Sequence, residues 1–289
     1  MDDDKAFGMG NGSSEFSSAL KGLISFFTIW HMDITQEDMD NMDRNFHLVP
    51  VVGMLFAIVL MVEMVVLAAT SIYIGFGGAI IPIVALATVY VGSKFLHFDG
   101  LTDFGDGMIA SGDQEKHVRA LKDTLVGAGG VGVAIITVLF ALALYGSIGG
   151  LMCIIVIPLI EVLVKNAQVF AAGNGIAGNG MAGRQVSQTD MGSAVKSFIL
   201  SMALGIVIVL VGSVMIQMFT DYLPFSVAVE RGFTALFTGL VVSSLTGILM
   251  AKVANRTFGM VNGDILGATN EISRVTTLFF VVFMLAVVA

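Results

Sequence analysis

The sequence predicts an all-α integral membrane protein, a bundle of about seven transmembrane helices. Of its 289 residues, 56% are hydrophobic and only 12% are charged, whereas soluble domains carry roughly 25% charged residues. Several apolar stretches approach or exceed the ~18 residues that mark a spanning helix. The lone Cys153 excludes a disulfide scaffold. The net charge of -8 excludes a nucleic-acid partner, which needs a basic surface.

The first 45 residues precede the predicted spans. Residues 1–14 are rich in acid, Gly and Ser and have no periodic apolar face, which predicts a disordered N-terminal segment. Residues 15–45 contain an apolar stretch that is interrupted by Lys21 and is too short to span a bilayer. This pattern favours an amphipathic segment at the membrane interface. A poorly formed first span is the alternative.

Residues 46–289 form the predicted transmembrane domain. Its continuous apolar stretches lie at 48–70, 71–92, 124–145, 147–164, 197–219, 233–251 and 275–289. The last stretch is shorter than the ~20 residues of a full crossing, so we expect its helix to begin a few residues earlier.

The distribution of Lys and Arg predicts the orientation. If the N-terminus is inside, every Lys and Arg except Arg231 falls on the inner side, as the excess of positive charge in cytoplasmic loops requires. We therefore expect a multi-pass protein of the cell membrane with a cytoplasmic N-terminus. The long polar segments 93–123, 165–196 and 252–274 would then also be cytoplasmic.

Three acids in the first of these segments carry the strongest chemical signal. Asp99, Asp103 and Asp106 are spaced four and three residues apart, which places them on one narrow stripe of a helix. Carboxylates this close repel one another, so they need a cation or a water-filled site. Oxygen ligands without accompanying His or Cys favour Mg²⁺ or Mn²⁺ over Zn²⁺. A solvated acidic helix start is the alternative.

Two other inner segments repeat the four-then-three spacing. Asp123 is followed by Gly127 and Gly130, and Asp264 is followed by Ala268 and Glu271. Acid and small residues would then share a helical face in each segment. The hypothesis is that these faces converge on one metal and phosphate pocket. Independent solvated helix ends remain the alternative.

These segments also carry a family resemblance. The stretches HFDGLTDFGDG (97–107), LKDTLVGAGG (121–130) and NGDILGATNE (262–271) together resemble the cobalamin synthases, the adenosylcobinamide-GDP ribazoletransferases. Order and spacing match over most of the chain, including FFTI (26–29) and HLVPVVG (47–53).

The resemblance implies a membrane transferase of late nucleotide-loop assembly. Such an enzyme joins α-ribazole, or its 5'-phosphate, to adenosylcobinamide-GDP with release of GMP, and requires Mg²⁺. Mn²⁺ is the other ion that the oxygen ligands favour. Residues 46–289 would then be the catalytic domain, with the active site at the cytoplasmic ends of the helices. The lipid bilayer is the other expected partner, and the sequence leaves the oligomeric state open, a homo-oligomer included.

Each candidate site residue receives an expected role. The metal ligands would be Asp99, Asp103, Asp106 and Asp123. Asp106 is also the candidate for taking a proton from the attacking ribose hydroxyl, and His97 is a second catalytic candidate whose alternative role is to orient the motif. The substrate-binding candidates are Lys94, Arg119, Lys122, Lys165, Asp264 and Glu271. For each cation, ordinary positive-inside bias is an equal alternative.

Two other functions compete with this interpretation. A CDP-alcohol phosphatidyltransferase uses a related acidic motif, but its usual Ala-Arg pair is missing from residues 104–110. A cation-coupled secondary transporter would use carboxylates within the membrane. Glu63 and Glu161 lie in predicted spans and are functional candidates for that reason; Glu161 is expected near the cytoplasmic end and close to water.

Two features depart from the family pattern. Lys165 lies where the family commonly has an Arg, which puts a bidentate phosphate clamp there in doubt. The segment 172–183 is unusually rich in Gly, which suits either a loop that closes over a nucleotide or a flexible connector.

Overall fold

A computed structural model describes residues 12–75, 78–148 and 150–288. Within these ranges the regular structure is helical, apart from a single bridge between Ala177 and Val261. The helices are α1 (Gly12–Phe27), α2 (Gln36–Arg44), α3 (Pro50–Ile74), α4 (Ile81–Gly92), α5 (Leu96–Ile109), α6 (Gln114–Leu121), α7 (Ala128–Gly146), α8 (Cys153–Gly173), α9 (Met181–Gln188), α10 (Met191–Phe219), α11 (Phe225–Thr257) and α12 (Gly263–Val287). Residues 1–11 of the predicted disordered segment lie outside the described ranges, and α1 already includes residues 12–14.

Membrane-spanning helices dominate the described chain. By length and composition, six helices can cross a membrane: α3 with the short 3-10 turn before it, α7, α8 with its preceding turn, α10, α11 and α12. Helices α4 and α5 form a further candidate that is bent by 93° at its break. The predicted all-α membrane bundle of about seven helices is therefore confirmed.

The predicted second span, 71–92, is wrong in its bounds. Helix α3 continues to Ile74 and ends at Gly75, whose φ of +71° closes the helix in the left-handed region. Helix α4 then has only 12 residues, or about 18 Å of helix, which is too short to cross alone. The final span begins earlier than residue 275, as expected, because α12 starts at Gly263.

The break between α4 and α5 is a strained turn. Lys94 and Phe95 have φ values of +55° and +56°, a conformation that costs a non-Gly residue about 1–2 kcal/mol. The chain between Gly92 and Leu96 can hold this conformation only if contacts made by the flanking helices outweigh that cost.

Helix α8 forms the centre of the bundle. In its most apolar 18-residue stretch, 89% of the residues are buried inside the protein. The helix packs against α3, α10, α11 and α12. We call the end of the bundle where α8 and α11 finish and α7, α10 and α12 begin the polar end. The short helices α2, α6 and α9 lie there with α1 and α5.

The apolar face of α1 lies against protein. Ala19, Leu23 and Phe27 are buried in the core together with residues of α2 and α3. The membrane-interface location of residues 15–45 stays a prediction, but this face of α1 is already covered by the rest of the chain.

The α1–α2 hairpin is held by one carboxylate. Asp38 accepts hydrogen bonds from Ser18 Oγ at 2.6 Å, from the Thr35 backbone N–H at 2.8 Å and from Lys21 Nζ at 3.3 Å. The Ser18 hydroxyl, with the Thr35 N–H, holds the pKa of Asp38 well below its usual range. The ionised carboxylate therefore stabilises the folded hairpin.

Replacing Asp38 by Asn should destabilise the protein by about 1 kcal/mol at neutral pH, the usual net value of one hydrogen bond. Because the folded pKa is depressed, the wild-type advantage is complete above the unfolded pKa of about 3.9 and is lost as pH falls through the folded value. Thermal unfolding of both proteins should show a constant difference from about pH 7 to about pH 5 and the beginning of its loss at about pH 3. An unfolding difference that vanished already at pH 6 would contradict the assignment.

Candidate active site

The site is built where α5 crosses α12. A Cβ atom placed on Gly100 would lie 2.8 Å from the backbone oxygen of Asp264 and 3.2 Å from Gly267 Cα, so the two backbones touch. Only glycine permits this approach. As a result, Asp99 and Asp103 of α5 lie beside Asp264 in the first turn of α12.

The carboxylates around this crossing influence one another. Asp103 lies within the electrostatic range of Asp264, Asp99 and Asp106. The Asp264 carboxylate accepts a hydrogen bond from Asn262 Nδ2 at 2.8 Å, and Asn262 also caps α12 by accepting from the Ile265 N–H. Negative charges gathered in this way repel one another unless a cation neutralises them.

Asp106 anchors a different helix. Its two carboxylate oxygens accept from the backbone N–H groups of Gly127 at 2.6 Å and Gly130 at 2.8 Å. Gly127 is the N-cap residue of α7, and it has no side chain that could accept from the first N–H groups of that helix. Asp106 supplies these acceptors instead. The expected catalytic and metal-binding roles of Asp106 stay predictions. Both of its carboxylate oxygens already accept a hydrogen bond from α7.

This capping predicts unequal stability effects. Replacing Asp106 by Asn turns one acceptor into a donor that faces an N–H group, which should cost about 1–3 kcal/mol. Replacing the exposed Asp99 by Asn, the matched control on the same helix, should cost far less. Denaturant unfolding of both variants measures the difference; equal losses would show that the Asp106 bonds do not support the fold.

Asp123, the acid that begins the second four-then-three pattern, does not lie on a helical face. Asp123 lies in the loop before α7, which begins at Ala128, and its carboxylate accepts from the Leu125 N–H at 3.0 Å. The expectation that Asp123 shares a helical face with Gly127 and Gly130 is therefore wrong. A side chain that binds the backbone two residues ahead favours a turn over a helix. Asp123 and Asp106 nonetheless line the same open hollow.

The candidate cations separate into two groups. Lys94, Arg119 and Lys122 are exposed, and Lys122 lies within the electrostatic range of Asp264. Arg119 is paired with Glu115 on the surface of α6. Lys165 lies inside the bundle with 1% exposure, where its Nζ is 2.8 Å from Asn270 Oδ1.

His97 faces the interior, away from the acids. Its Nε2 lies 2.5 Å from Lys165 Nζ, its Nδ1 lies 3.4 Å from Gln168 Nε2, and its ring stacks on Phe27 with centroids 5.8 Å apart. This arrangement matches the alternative role, in which His97 orients the motif. Glu271 is likewise fully buried, so its substrate-binding role stays a prediction without surface access.

Sequence reasoning missed a buried ion cluster. Glu161 was expected near water, but it is 0% exposed and forms a salt bridge with the equally buried Arg274. Arg274 also binds Glu271. An Arg three residues after a Glu, directly before the last apolar stretch, was the available signal. Glu63, for which the sequence offered no partner, accepts from the Thr88 hydroxyl at 2.9 Å.

The Gly-rich segment is docked against the turn before α12. The Gly178 N–H donates to the Val261 oxygen, and the Val261 N–H donates to the Ile176 oxygen. A Cβ on Gly175 would lie 2.7 Å from the Val261 side chain. The segment thus supports the turn that presents Asn262 and Asp264.

The carboxylates around the crossing lack a complete set of protein ligands for a metal ion. Across residues 12–75, 78–148 and 150–288, no three His, Cys, Asp or Glu side chains lie close enough together to hold an ion by themselves. Mg²⁺ usually takes only one or two carboxylates and completes its shell with water and substrate phosphates. One or two of the carboxylates Asp99, Asp103 and Asp264 would therefore suit an ion that binds together with its phosphate substrate.

Comparison with known proteins assigns the family. A sequence model of the family described as cobalamin-5-phosphate synthase matches residues 19–282. The chain belongs to the cobalamin-5-phosphate synthase family. The match includes the acidic segments 97–107, 121–130 and 262–271 and all of the candidate spans except the last residues of α12.

Individual relatives of this family agree over nearly their whole length. A Methanocella arvoryzae protein named adenosylcobinamide-GDP ribazoletransferase is 31% identical over 273 residues, which cover 90% of this chain and 94% of the relative. A Methanosarcina barkeri protein of the same name is 27% identical over 288 residues, covering 92% of each chain. No solved structure matches. Family membership makes this chain a multi-pass membrane protein and a transferase of cobalamin synthesis.

Proposed function

We propose that this cobalamin-5-phosphate synthase joins α-ribazole, or its 5'-phosphate, to adenosylcobinamide-GDP and releases GMP. One observation carries the proposal: two segments of the family motif, 97–107 and 262–271, meet backbone to backbone at Gly100 and Gly267. Their acids thus lie together at the polar end, where a soluble nucleotide substrate can arrive. The comparisons do not favour a CDP-alcohol phosphatidyltransferase or a transporter.

The bond changes define what the residues must do. A ribose oxygen of the ribazole forms a bond to the phosphorus next to cobinamide, the bond between the two phosphates breaks, and GMP leaves with the electron pair. The hydroxyl proton passes to a carboxylate. Asp99 and Asp103 are better placed as acceptors than Asp106, because both Asp106 oxygens already bind the start of α7. Positioning and charge stabilisation dominate such transfers.

Mg²⁺, or Mn²⁺ in its place, would be held by one or two of Asp99, Asp103 and Asp264, together with water and the substrate phosphates. When bound, the ion neutralises charge on the two phosphates and on the departing GMP. Lys122 lies beside Asp264 and adds a positive charge at the same place. The exposed Arg119 and Lys94 at the same end of the bundle would attract the nucleotide. Asp123 would extend the acidic surface along the hollow that it shares with Asp106.

The polar end would face the cytoplasm of a cell membrane. Most Lys and Arg residues of the described chain lie at this end. The exceptions are Lys165 and Arg274, which are buried inside the bundle, and Arg231, which lies near the start of α11 at the opposite end. Positive charge concentrates in cytoplasmic loops. A Lys116→Cys variant should react with a membrane-impermeant maleimide in inside-out vesicles and stay unlabelled in intact cells; the reverse pattern would overturn this orientation.

The activity is tested with the full-length protein in liposomes. With adenosylcobinamide-GDP, Mg²⁺ and either ribazole form, we expect stoichiometric GMP and the joined corrinoid, both detected by mass spectrometry. GMP should not appear without ribazole or in excess EDTA. Absence of the joined product in the complete mixture, or CMP release from a CDP-alcohol, would refute the proposal.

A further inference from the structure

The interior of the bundle contains a connected network of polar side chains. Arg274 donates to Glu161, to Glu271 Oε2 at 3.2 Å and to Tyr145 Oη at 3.1 Å. Tyr90 donates its hydroxyl to Glu271 Oε2 at 3.1 Å. Four helices, α4, α7, α8 and α12, are joined in this way.

The same network continues to α5. Asn270 donates to Glu271 at 2.9 Å and accepts from Lys165 at 2.8 Å, and Lys165 contacts His97. Charged groups are costly to bury within a membrane, and well-packed apolar residues often hold helices together at least as well. A network kept at this cost indicates a requirement for one defined helix arrangement.

Two contacts of this network lie on either side of the bend between α4 and α5: Tyr90 with Glu271, and His97 with Lys165. Tyr90 is in the last turn of α4, before the bend, and His97 is in the first turn of α5, after it. Between them lie the left-handed residues Lys94 and Phe95. The strained turn is therefore tied on both sides to one set of side chains on α8 and α12.

This arrangement connects the network to the acids without placing it among them. Arg274 lies ten residues after Asp264 on α12, which corresponds to about 15 Å along a helix, and it is fully buried. It cannot reach a phosphate at the polar end. On the same helix, Gly267 lies between the network and Asp264, at the contact that sets the distance from α5 to α12.

We propose that the Glu161–Arg274–Glu271 network positions the broken span, and that Tyr90 is a positioning residue which sets Asp99 and Asp103 against Asp264. This inference rests on the proposed transferase function. Loss of the Tyr90 hydroxyl frees the end of α4 to move and shifts the acids, while Arg119 in α6 and Lys122 directly after it keep their places.

Two matched variants test the proposal. Tyr90→Phe and Tyr145→Phe each remove one buried hydroxyl bonded to the network, but Tyr145 lies at the far end of α7, away from the bend. For Tyr90→Phe, kcat for GMP release should fall about tenfold to a hundredfold, as expected for a small misplacement of catalytic groups, with a smaller change in KM for adenosylcobinamide-GDP. Tyr145→Phe should keep the wild-type kcat.

The outcomes separate positioning from stability and from failure of the proposed function. Similar thermal unfolding midpoints for both variants, with the loss of kcat confined to Tyr90→Phe, would support positioning. Equal kcat values, a change in KM alone, or unfolding of Tyr90→Phe would overturn it in favour of a purely structural hydroxyl. An inactive wild-type protein would instead refute the transferase function itself.

Discussion

Replacing Asp103 by Asn is expected to lower the rate of GMP release by about a hundredfold to a thousandfold, the usual effect of removing one preorganised charge-stabilising group. Asn keeps the shape of the side chain but loses the charge that would hold Mg²⁺ and the phosphates. Because Asp103 is surrounded by Asp99, Asp106 and Asp264, removal of its charge also relieves repulsion. The variant should therefore be at least as stable as the wild-type protein.

The measurement combines initial rates with thermal unfolding of the same samples. Glu37→Gln removes an exposed carboxylate from α2 at the same end of the bundle and should leave the rate unchanged. Addition of Mg²⁺ should raise the unfolding midpoint of the wild-type protein more than that of Asp103→Asn. A fully active Asp103→Asn protein would remove the acidic cluster from the mechanism.

Adding a single methyl group at Gly100 should have the second large effect. In Gly100→Ala, the new Cβ would meet the Asp264 backbone at 2.8 and 3.0 Å, and backbone cannot rotate away as a side chain can. Helices α5 and α12 must separate, so we expect a loss of about 1–3 kcal/mol, typical of overpacking. Since that contact sets the spacing of the acids, activity should fall by about a hundredfold.

Gly132→Ala in α7 is the matched control. A Cβ on Gly132 would have no heavy atom within 4 Å, and Ala has the higher helix propensity. We expect this variant to be fully active and slightly more stable than the wild-type protein. Detergent-based unfolding and the GMP assay measure both properties. A Gly100→Ala protein with wild-type activity would show that the close crossing is not needed to assemble the site.

Much of the site was accessible from sequence because its signal is local. Asp99, Asp103 and Asp106 lie on one helix, as their spacing predicts, and Asp264 begins another. Helical periodicity determines which side chains share a face. It does not determine which groups those side chains meet, and so the capping role of Asp106 and the buried location of Lys165 were not predicted.

The bend is the clearest case of tertiary control. Hydropathy predicted that a span ends at residue 92, where α4 does end, but it gave no sign that α5 would turn by 93° from α4. The left-handed conformations of Lys94 and Phe95 are unfavourable by themselves. They persist through contacts with residues far away in the chain, such as Tyr90 with Glu271.

The amino-acid sequence by itself determined the membrane class, the approximate number of spans, the acidic stripe and the family, because composition and helical period are properties of neighbouring residues. The tertiary structure alone decided that α5 turns away from α4, that Gly100 and Gly267 touch, and that Arg274 is enclosed by two glutamates. These features depend on the close approach of helices distant in sequence, where the shape of the contact and the balance of buried charge select one arrangement.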